Sequence, residues 1–388
     1  MSLLLLNIRD LHVSYRISKY LVGHLKEHDF VDEISRYISF AEGVSDLVTF
    51  DKILEEKIGA LVSEEVKKYR SLGMMNLYAL NGVNLDIDEG TILACVGETG
   101  CGKTTLAHAI LGVLPENDSV QGSIVFEEKN LVDIDKKEFT LLRARKMGYI
   151  GQGSYTYLNP MFTNAFQVLE SAMLAANNSL DEAYNNFIKA ARHAQLDSRL
   201  LLSYPRKLSG GEIRRVAFAM ALSKNPRLLI CDEPFRNLDV YMAKSLANVL
   251  REIIGKFETT AIIFTHNLAL MAEFADEIAV MYQGTIVERG KTIDIFKNPY
   301  HPYTKGLIGA IPDPRKPKKR LIYVPGEPLP RIVKISFCPF FNRCPIASEE
   351  CIRNRPSLKN FDGRLVACHN IEEIYNLSPI EFWEPYIE

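Results

Sequence analysis

The sequence contains no apolar run long enough to span a bilayer; its opening, MSLLLLNIRD, is far too short. That opening also lacks the basic start and small-residue cleavage site of a signal peptide, so the chain is expected to stay in the cytoplasm. There is no excess of charge either. The 46 Lys and Arg residues stand against 48 Asp and Glu, a formal net charge of -2. No block of one sign appears, which excludes the basic field of a nucleic-acid binder and the charged tail of an interaction arm. Cysteine is scarce, 7 in 388 residues, yet Cys338, Cys344, Cys351 and Cys368 crowd the last stretch. In a reducing compartment such a group reads as metal or redox ligands before disulfides. Cys95 and Cys231 stand in apolar runs and read as small buried hydrophobes. The length exceeds that at which one core usually stops growing, so one large domain with satellites, or two domains, is expected.

What is present begins with TILACVGETGCGKTTLAHAIL: an apolar, β-prone run, a glycine-rich loop, then apolar residues at helical spacing. Gly97, Gly102, Lys103 and Thr104 fit the phosphate-loop pattern in the strand–loop–helix context it requires. Glycines let backbone N–H groups approach phosphate oxygens, and the helix start adds partial positive charge. The candidate cradle is Gly97, Glu98, Thr99, Gly100, Cys101 and Gly102, followed by Lys103, Thr104 and Thr105. Lys103 is placed to reach the β- and γ-phosphates, and Thr104 offers a hard oxygen to magnesium. RLLICDEP reads as a buried parallel strand ending in two carboxylates. Asp232 is expected to hold magnesium through water, and Glu233 to orient or deprotonate the attacking water.

A third motif, LSGGE at residues 208 to 212, lies between those two and opens a helical run. With it the chain resembles the ATP-binding subunit of ABC transporters, and the motifs fall in that family's order. The resemblance implies a P-loop α/β ATPase with a RecA-like core, an antiparallel β subdomain and an inserted α-helical subdomain. It makes Gln152 the Q-loop glutamine, which touches magnesium and the attacking water, Asp239 the D-loop aspartate and His266 the switch histidine. Tyr15 becomes the aromatic stacked on adenine. Ser209, Gly210 and Gly211 would close on ATP held by a facing subunit, so one chain does not complete the site.

Further features resemble the oligopeptide and dipeptide importer branch: SYTYLNP after the Q-loop, ADEIAVMYQGTIVERG after the switch histidine, and a C-terminal extension from NPYHPYTKGLIGAIP through VPGEPLP to the cysteines. Membership would imply a sister ATPase, two transmembrane permeases, an extracytoplasmic solute-binding protein and a peripheral place on the cytoplasmic face of the membrane. Oligosaccharide, nickel or glutathione uptake is the alternative cargo reading. A soluble ABC protein acting on nucleic acid or ribosomes, and a non-catalytic regulatory subunit, are the rival classes.

The ATPase domain is expected over residues 1–290, with a helical insertion at about 17–75 and a helical subdomain at about 153–212, and the extension over 291–388. The insertion rests on Leu21, Leu25, Ile34 and Ile38, then Ile53, Ile58, Leu61, Val62 and Val66, at helical spacing. Phe235, Arg236 and Asn237 replace small residues usual in the family, Glu212 a glutamine, Asn267 an aspartate and Cys101 a serine. Gaps of five, six and sixteen residues between the C-terminal cysteines are longer than a zinc knuckle uses. Branch members that carry a 4Fe-4S cluster at matching cysteines favour that cofactor, with zinc as the alternative and disulfides third. The cluster would pin a tail expected to hold too little apolar material of its own, with His369 as a spare ligand.

Overall fold

The computed structural model describes residues 3–18, 74–115, 118–153, 158–176, 179–312, 321–329, 331 and 334–386. The long N-terminal strands β1 (Leu4–Ser18) and β2 (Met74–Asp88) pair antiparallel, with Ser18 opposite Met74. Residues 19–73, where most of the helical insertion was expected, lie outside the described residues. Along β1 the side-chain alternation slips at Asp10, which sits at φ 44° in a register shift. The bulge lets Leu6, Ile8, Leu11 and Val13 all face inward. β3 (Ile92–Val96) follows; β4 (Ser119–Phe126) and β5 (Lys129–Asn130) complete an antiparallel sheet of order β2-β1-β4-β5.

The second sheet is built on strands buried at every position: β3, β7 (Leu228–Asp232) and β8 (Thr260–Thr265). Together with β6 (Met147–Ile150) and β9 (Glu277–Tyr282) they run parallel, as strands covered on both faces do. Alternate residues of β3 serve two cores. Leu93 and Cys95 pack toward the antiparallel sheet, and Ile92, Ala94 and Val96 toward the helices. Cys95 and Cys231 are fully buried, as their apolar settings imply.

Helix α1 (Lys103–Leu111) follows β3, and α2 (Lys136–Lys146) precedes β6. After β6 come α3 (Asn164–Ala175) and α4 (Leu180–His193), on the two stretches whose apolar spacing predicts helices. Thr163 and Ser179 cap them. The short α5 (Ser198–Leu202) leads to α6 (Gly210–Leu222), which packs with α3 and α4 as the inserted helical unit. α7 (Val240–Phe257) and α8 (Leu268–Phe274) flank β8.

The C-terminal region continues the main sheet. β10 (Thr285–Lys291) pairs with β9 and with β12 (Arg364–Val366), which in turn pairs with β11 (Lys359–Phe361), all antiparallel. α9 (Thr292–Lys297) and α10 (Pro302–Gly309) follow β10. The expectation of an apolar-poor tail is overturned. Ile335, Phe337, Phe340, Phe341, Phe382 and Trp383 are buried and join the cluster that contains the helical face of β3. Their spacing in the sequence is irregular because they come from turns and from helical pieces of three to five residues, Phe341–Arg343 and Pro379–Trp383, too short for periodicity to register.

Glu288 and His301 join the first turn of this region to the core. Glu288 accepts from the N–H groups of Tyr300 and His301 at 2.9 and 2.8 Å and faces Arg364 at 3.7 Å. His301 caps α10 by accepting from the Tyr303 N–H at 3.1 Å, and burial pushes its imidazole down to about 3. In the unfolded chain that group titrates near 6.5. As pH falls the unfolded state therefore takes the proton first, so stability is full above about 6.5 and is lost down to about 3. Burial raises the Glu288 carboxyl, which works in the opposite sense. His301→Asn keeps an amide oxygen for the cap and removes the titration. It should abolish a loss of about 2 kcal/mol between pH 7 and pH 5, read as a flatter urea-midpoint profile than the wild type gives.

Candidate active site

β3, β7 and β8 end side by side, and the segments that follow them line one pocket at the carboxyl edge of the sheet. The loop after β3 fits there because it lacks side chains where backbones meet. A Cβ on Gly97 would lie 2.2 Å from Met281 O, and one on Gly102, at φ 110°, 2.8 Å from Ala79 O. No side chain caps the start of α1, so its first N–H groups face the pocket with the helix dipole behind them. Lys103 is only 7% exposed and donates to Gly97 O at 2.7 Å and Glu98 O at 3.0 Å. Cys101, buried beneath it, places Sγ 3.6 Å from the ammonium, and burial raises that thiol. Tyr15 reaches over from β1, its hydroxyl donating to Thr105 Oγ1 at 2.9 Å.

Asp232 and Glu233 separate in role because the chain turns sharply between them. Asp232 is buried; Oδ2 accepts from Thr104 Oγ1 at 2.8 Å, and Oδ1 has no hydrogen-bond partner. Burial raises its carboxyl, against the hydrogen bond from Thr104. Glu233 sits at φ 49°, a left-handed conformation that costs a non-glycine residue about 1 kcal/mol or more. The turn brings its carboxylate to the end of β8. Oε1 accepts from the His266 N–H at 3.0 Å and faces His266 Nδ1 at 2.7 Å; Oε2 accepts from Thr265 Oγ1 at 3.2 Å. With Nδ1–H donating to Glu233, His266 keeps Nε2 for a partner in the pocket.

Gln152, exposed at the end of β6, joins the same lining, as do Phe235, Arg236 and Asn237. Ser209, Gly210 and Gly211 do not. They form the exposed start of α6, where a capping box joins Ser209 to Glu212: Glu212 N donates to Ser209 Oγ at 3.3 Å and Ser209 N to Glu212 Oε2 at 2.8 Å. A glutamate at 212 thus suits the helix start, and it also pairs with Arg199. A Cβ on Gly210 would meet nothing within 4 Å. Asp239 lies off the pocket lining too and caps α7, accepting from Met242 N at 3.0 Å. Ser209, Gly210, Gly211 and Asp239 thus lie outside the pocket of their own chain.

The four C-terminal cysteines converge although their sequence gaps are long. Cys338 N donates to Cys351 O at 2.8 Å, and the Cys338 thiol donates to the Cys351 sulfur, lowering the Cys351 thiol. Burial raises Cys344 and Cys368, whose sulfurs also sense each other and Cys351. All are free thiols. Among the described residues no three His, Cys, Asp or Glu form a group that could hold a metal ion, so neither the 4Fe-4S cluster nor its zinc alternative finds support here. His369 instead bonds Asn354 O at 3.0 Å. Arg331, Tyr303 and Arg343 are pocket and loop contacts that sequence reasoning missed. Each comes from the C-terminal region, outside the phosphate-loop and carboxylate motifs, and the pairing of β10 with β9 and β12, with the Tyr78 N–H donating to Arg331 O at 2.7 Å, carries that region back to the loop.

Comparison with known proteins agrees with this geometry. Residues 80–236 match the ABC transporter family model, and residues 287–351 match the C-terminal region of oligopeptide/dipeptide transporters. The chain is 36% identical over 302 residues to the oligopeptide transport ATP-binding protein OppD of Salmonella typhimurium, covering 76% of this chain and 89% of that one. It is 35% identical over 301 residues to the dipeptide transport ATP-binding protein DppD of Caldanaerobacter subterraneus subsp. tengcongensis, covering 76% and 92%. Among solved structures, a dimeric post-hydrolysis state of the ATP-binding cassette MJ0796 bound to ADP and Pi superposes with a TM-score of 0.50 at 27% identity. That match covers 56% of this chain and 92% of the other.

Glu233 lines the pocket with its two oxygens held by His266 and Thr265, and its expected role is that of base toward water. Glu233→Gln should lower phosphate release from ATP by a factor of about a hundred or more while ATP stays bound, seen as an ATP-stabilised dimer on size exclusion. Turnover close to the wild-type rate would remove Glu233 from that role.

Proposed function

Since the chain belongs to the ATP-binding proteins of oligopeptide and dipeptide ABC transporters, we propose that it binds and hydrolyses ATP to drive peptide import through a partner permease. The observation that carries this is the pocket in which Lys103, Asp232, Glu233 and His266 meet, on a chain whose residues 287–351 match the peptide-transporter C-terminal region. Lys103 neutralises phosphate charge from inside the loop, and α1 directs its N-terminal dipole at the same group. Glu233, fixed by His266 and Thr265, orients water on the outer side of the terminal phosphate. Gln152 reports that state from the rim to the helices that follow it.

Thr104 and Asp232 suit magnesium, because both line the pocket and the Thr104 hydroxyl and the unpartnered Asp232 Oδ1 are hard oxygens. Bound there, the ion would draw charge from the β- and γ-phosphates. Ser209, Gly210 and Gly211 lie off the pocket of their own chain, which supports a second subunit whose signature segment, their counterpart, would close on ATP. A sister ATPase and two transmembrane permeases complete the assembly, with a solute-binding protein outside. No helix among the described residues is long and apolar enough to cross a membrane, in keeping with a peripheral place on the cytoplasmic face. Peptide is preferred over oligosaccharide, nickel or glutathione because the curated relatives compared above are named for peptides.

Cys338, Cys344, Cys351 and Cys368 are four free thiols, the number and donor type that a 4Fe-4S cluster takes. Such a cluster takes one thiolate on each iron and so spreads its ligands around a larger body. Its contribution would be a cross-link among turns that already carry a buried aromatic core.

Two measurements test these readings. Affinity purification from detergent-solubilised membranes should recover permease chains and show ATPase activity stimulated by a peptide-loaded binding protein; stimulation by nickel or a sugar instead would change the cargo. Cys344→Ser should abolish the brown colour and iron content of anaerobically purified protein, and unchanged iron would rule out the cluster.

A further inference from the structure

Arg343 reaches from the cysteine region into the phosphate loop, and none of the roles above uses it. It ends the short turn Phe341–Arg343, directly before Cys344, and its side chain is 4% exposed. A guanidinium has five N–H donors, and each finds an acceptor here. Nη1 donates to Glu98 Oε2 at 2.9 Å and Tyr282 Oη at 3.4 Å. Nη2 donates to Glu98 Oε1 at 3.1 Å and Val324 O at 3.1 Å, and Nε to Pro325 O at 2.9 Å. A buried two-pronged grip on a carboxylate fixes the orientation of its partner as well as balancing its charge.

That partner follows Gly97 at the entry to the loop, and three of its groups are engaged. Arg343 takes the carboxylate of Glu98, the Glu98 N–H donates to Tyr303 Oη at 2.9 Å, and Lys103 Nζ donates to the Glu98 carbonyl at 3.0 Å. Glu98 is not part of the pocket lining, so its carboxylate serves the C-terminal region and not the phosphates. The residue that seats the Lys103 ammonium is thus held from behind by two C-terminal side chains.

We infer that Arg343 is a positioning residue for nucleotide binding: acting through Glu98, it sets the first turn of the phosphate loop and the seat of Lys103. The pocket and the cysteine-bearing region are thereby coupled, whatever the thiols hold. The inference rests on the ATP reading above. Titration of the purified full-length chain with Mg-ATP tests it. Arg343→Met should weaken ATP binding about tenfold and change kcat at saturating ATP far less. Arg343→Lys, which keeps the charge and loses the fork, should recover part of the affinity. Glu98→Ala should weaken binding comparably, and the double variant no further, because both changes remove one shared interaction. Wild-type affinity in Arg343→Met, or losses that add in the double variant, would overturn the inference. Should Arg343→Met fail to fold, Arg343→Lys, which keeps the buried charge beside Glu98 and removes only the fork, decides alone: unchanged affinity overturns the inference, and weakened affinity upholds it. A wild-type chain that does not bind ATP would instead sink the ATPase reading itself.

Discussion

The close approach of three backbones around the phosphate loop is the constraint on which the rest of the site depends. Gly97 passes under Met281 O, and Gly102 and Gly284 press on Ala79 O, at separations no Cβ tolerates. Hydrogen bonds bind the same three segments: Gly284 N donates to Cys101 O and Asn81 N to Gly284 O, each at 2.8 Å. The loop is therefore clamped between β2 and the β9–β10 turn. Its carbonyls turn inward to Lys103, and the start of α1 turns outward to the pocket. An alanine at any of these glycines would force apart segments that belong to both sheets, so the loop is a junction of the fold before it is a binding site.

Against that fixed loop, the strained turn at Glu233 makes two adjacent carboxylates chemically different. Asp232 ends a strand and stays in the core beside Thr104, where desolvation disfavours its charge and a cation would restore it. Glu233 leaves the strand in a left-handed conformation, and contacts from His266 and Thr265 offset its cost. Strain at this point separates a buried carboxylate beside Thr104 from one held by His266 and Thr265, a division that neighbours on a regular strand achieve only by pointing to opposite faces.

The C-terminal region shares the architecture of the ATPase. Its strand β12 extends the main sheet, its aromatics join the core on the helical face of β3, and its polar side chains Tyr303 and Arg343 hold the back of the phosphate loop. Buried Glu288 and Arg364 pin the crossing, with Arg364 stacked 3.5 Å over Tyr300. A sheet, a core and a loop are thus continuous across what the sequence presents as a boundary near residue 290.

The sequence by itself marked the candidate site: Gly97 to Thr105, Asp232 and Glu233 are legible because each motif is local and its residue types suit phosphate, cation and water, whereas His266 and Gln152 are legible only through the family resemblance. It also marked the helices α3 and α4, whose apolar faces repeat at helical spacing. Only the tertiary structure decided which groups meet. It brought His266 onto Glu233 and left Ser209, Gly210, Gly211 and Asp239 away from the pocket of their own chain. It also converted an apparent tail into a wall of the site. Those outcomes depend on pairings between residues far apart in the chain, 33 positions for Glu233 with His266 and 245 for Glu98 with Arg343, and no local pattern of hydrophobicity or spacing carries that information.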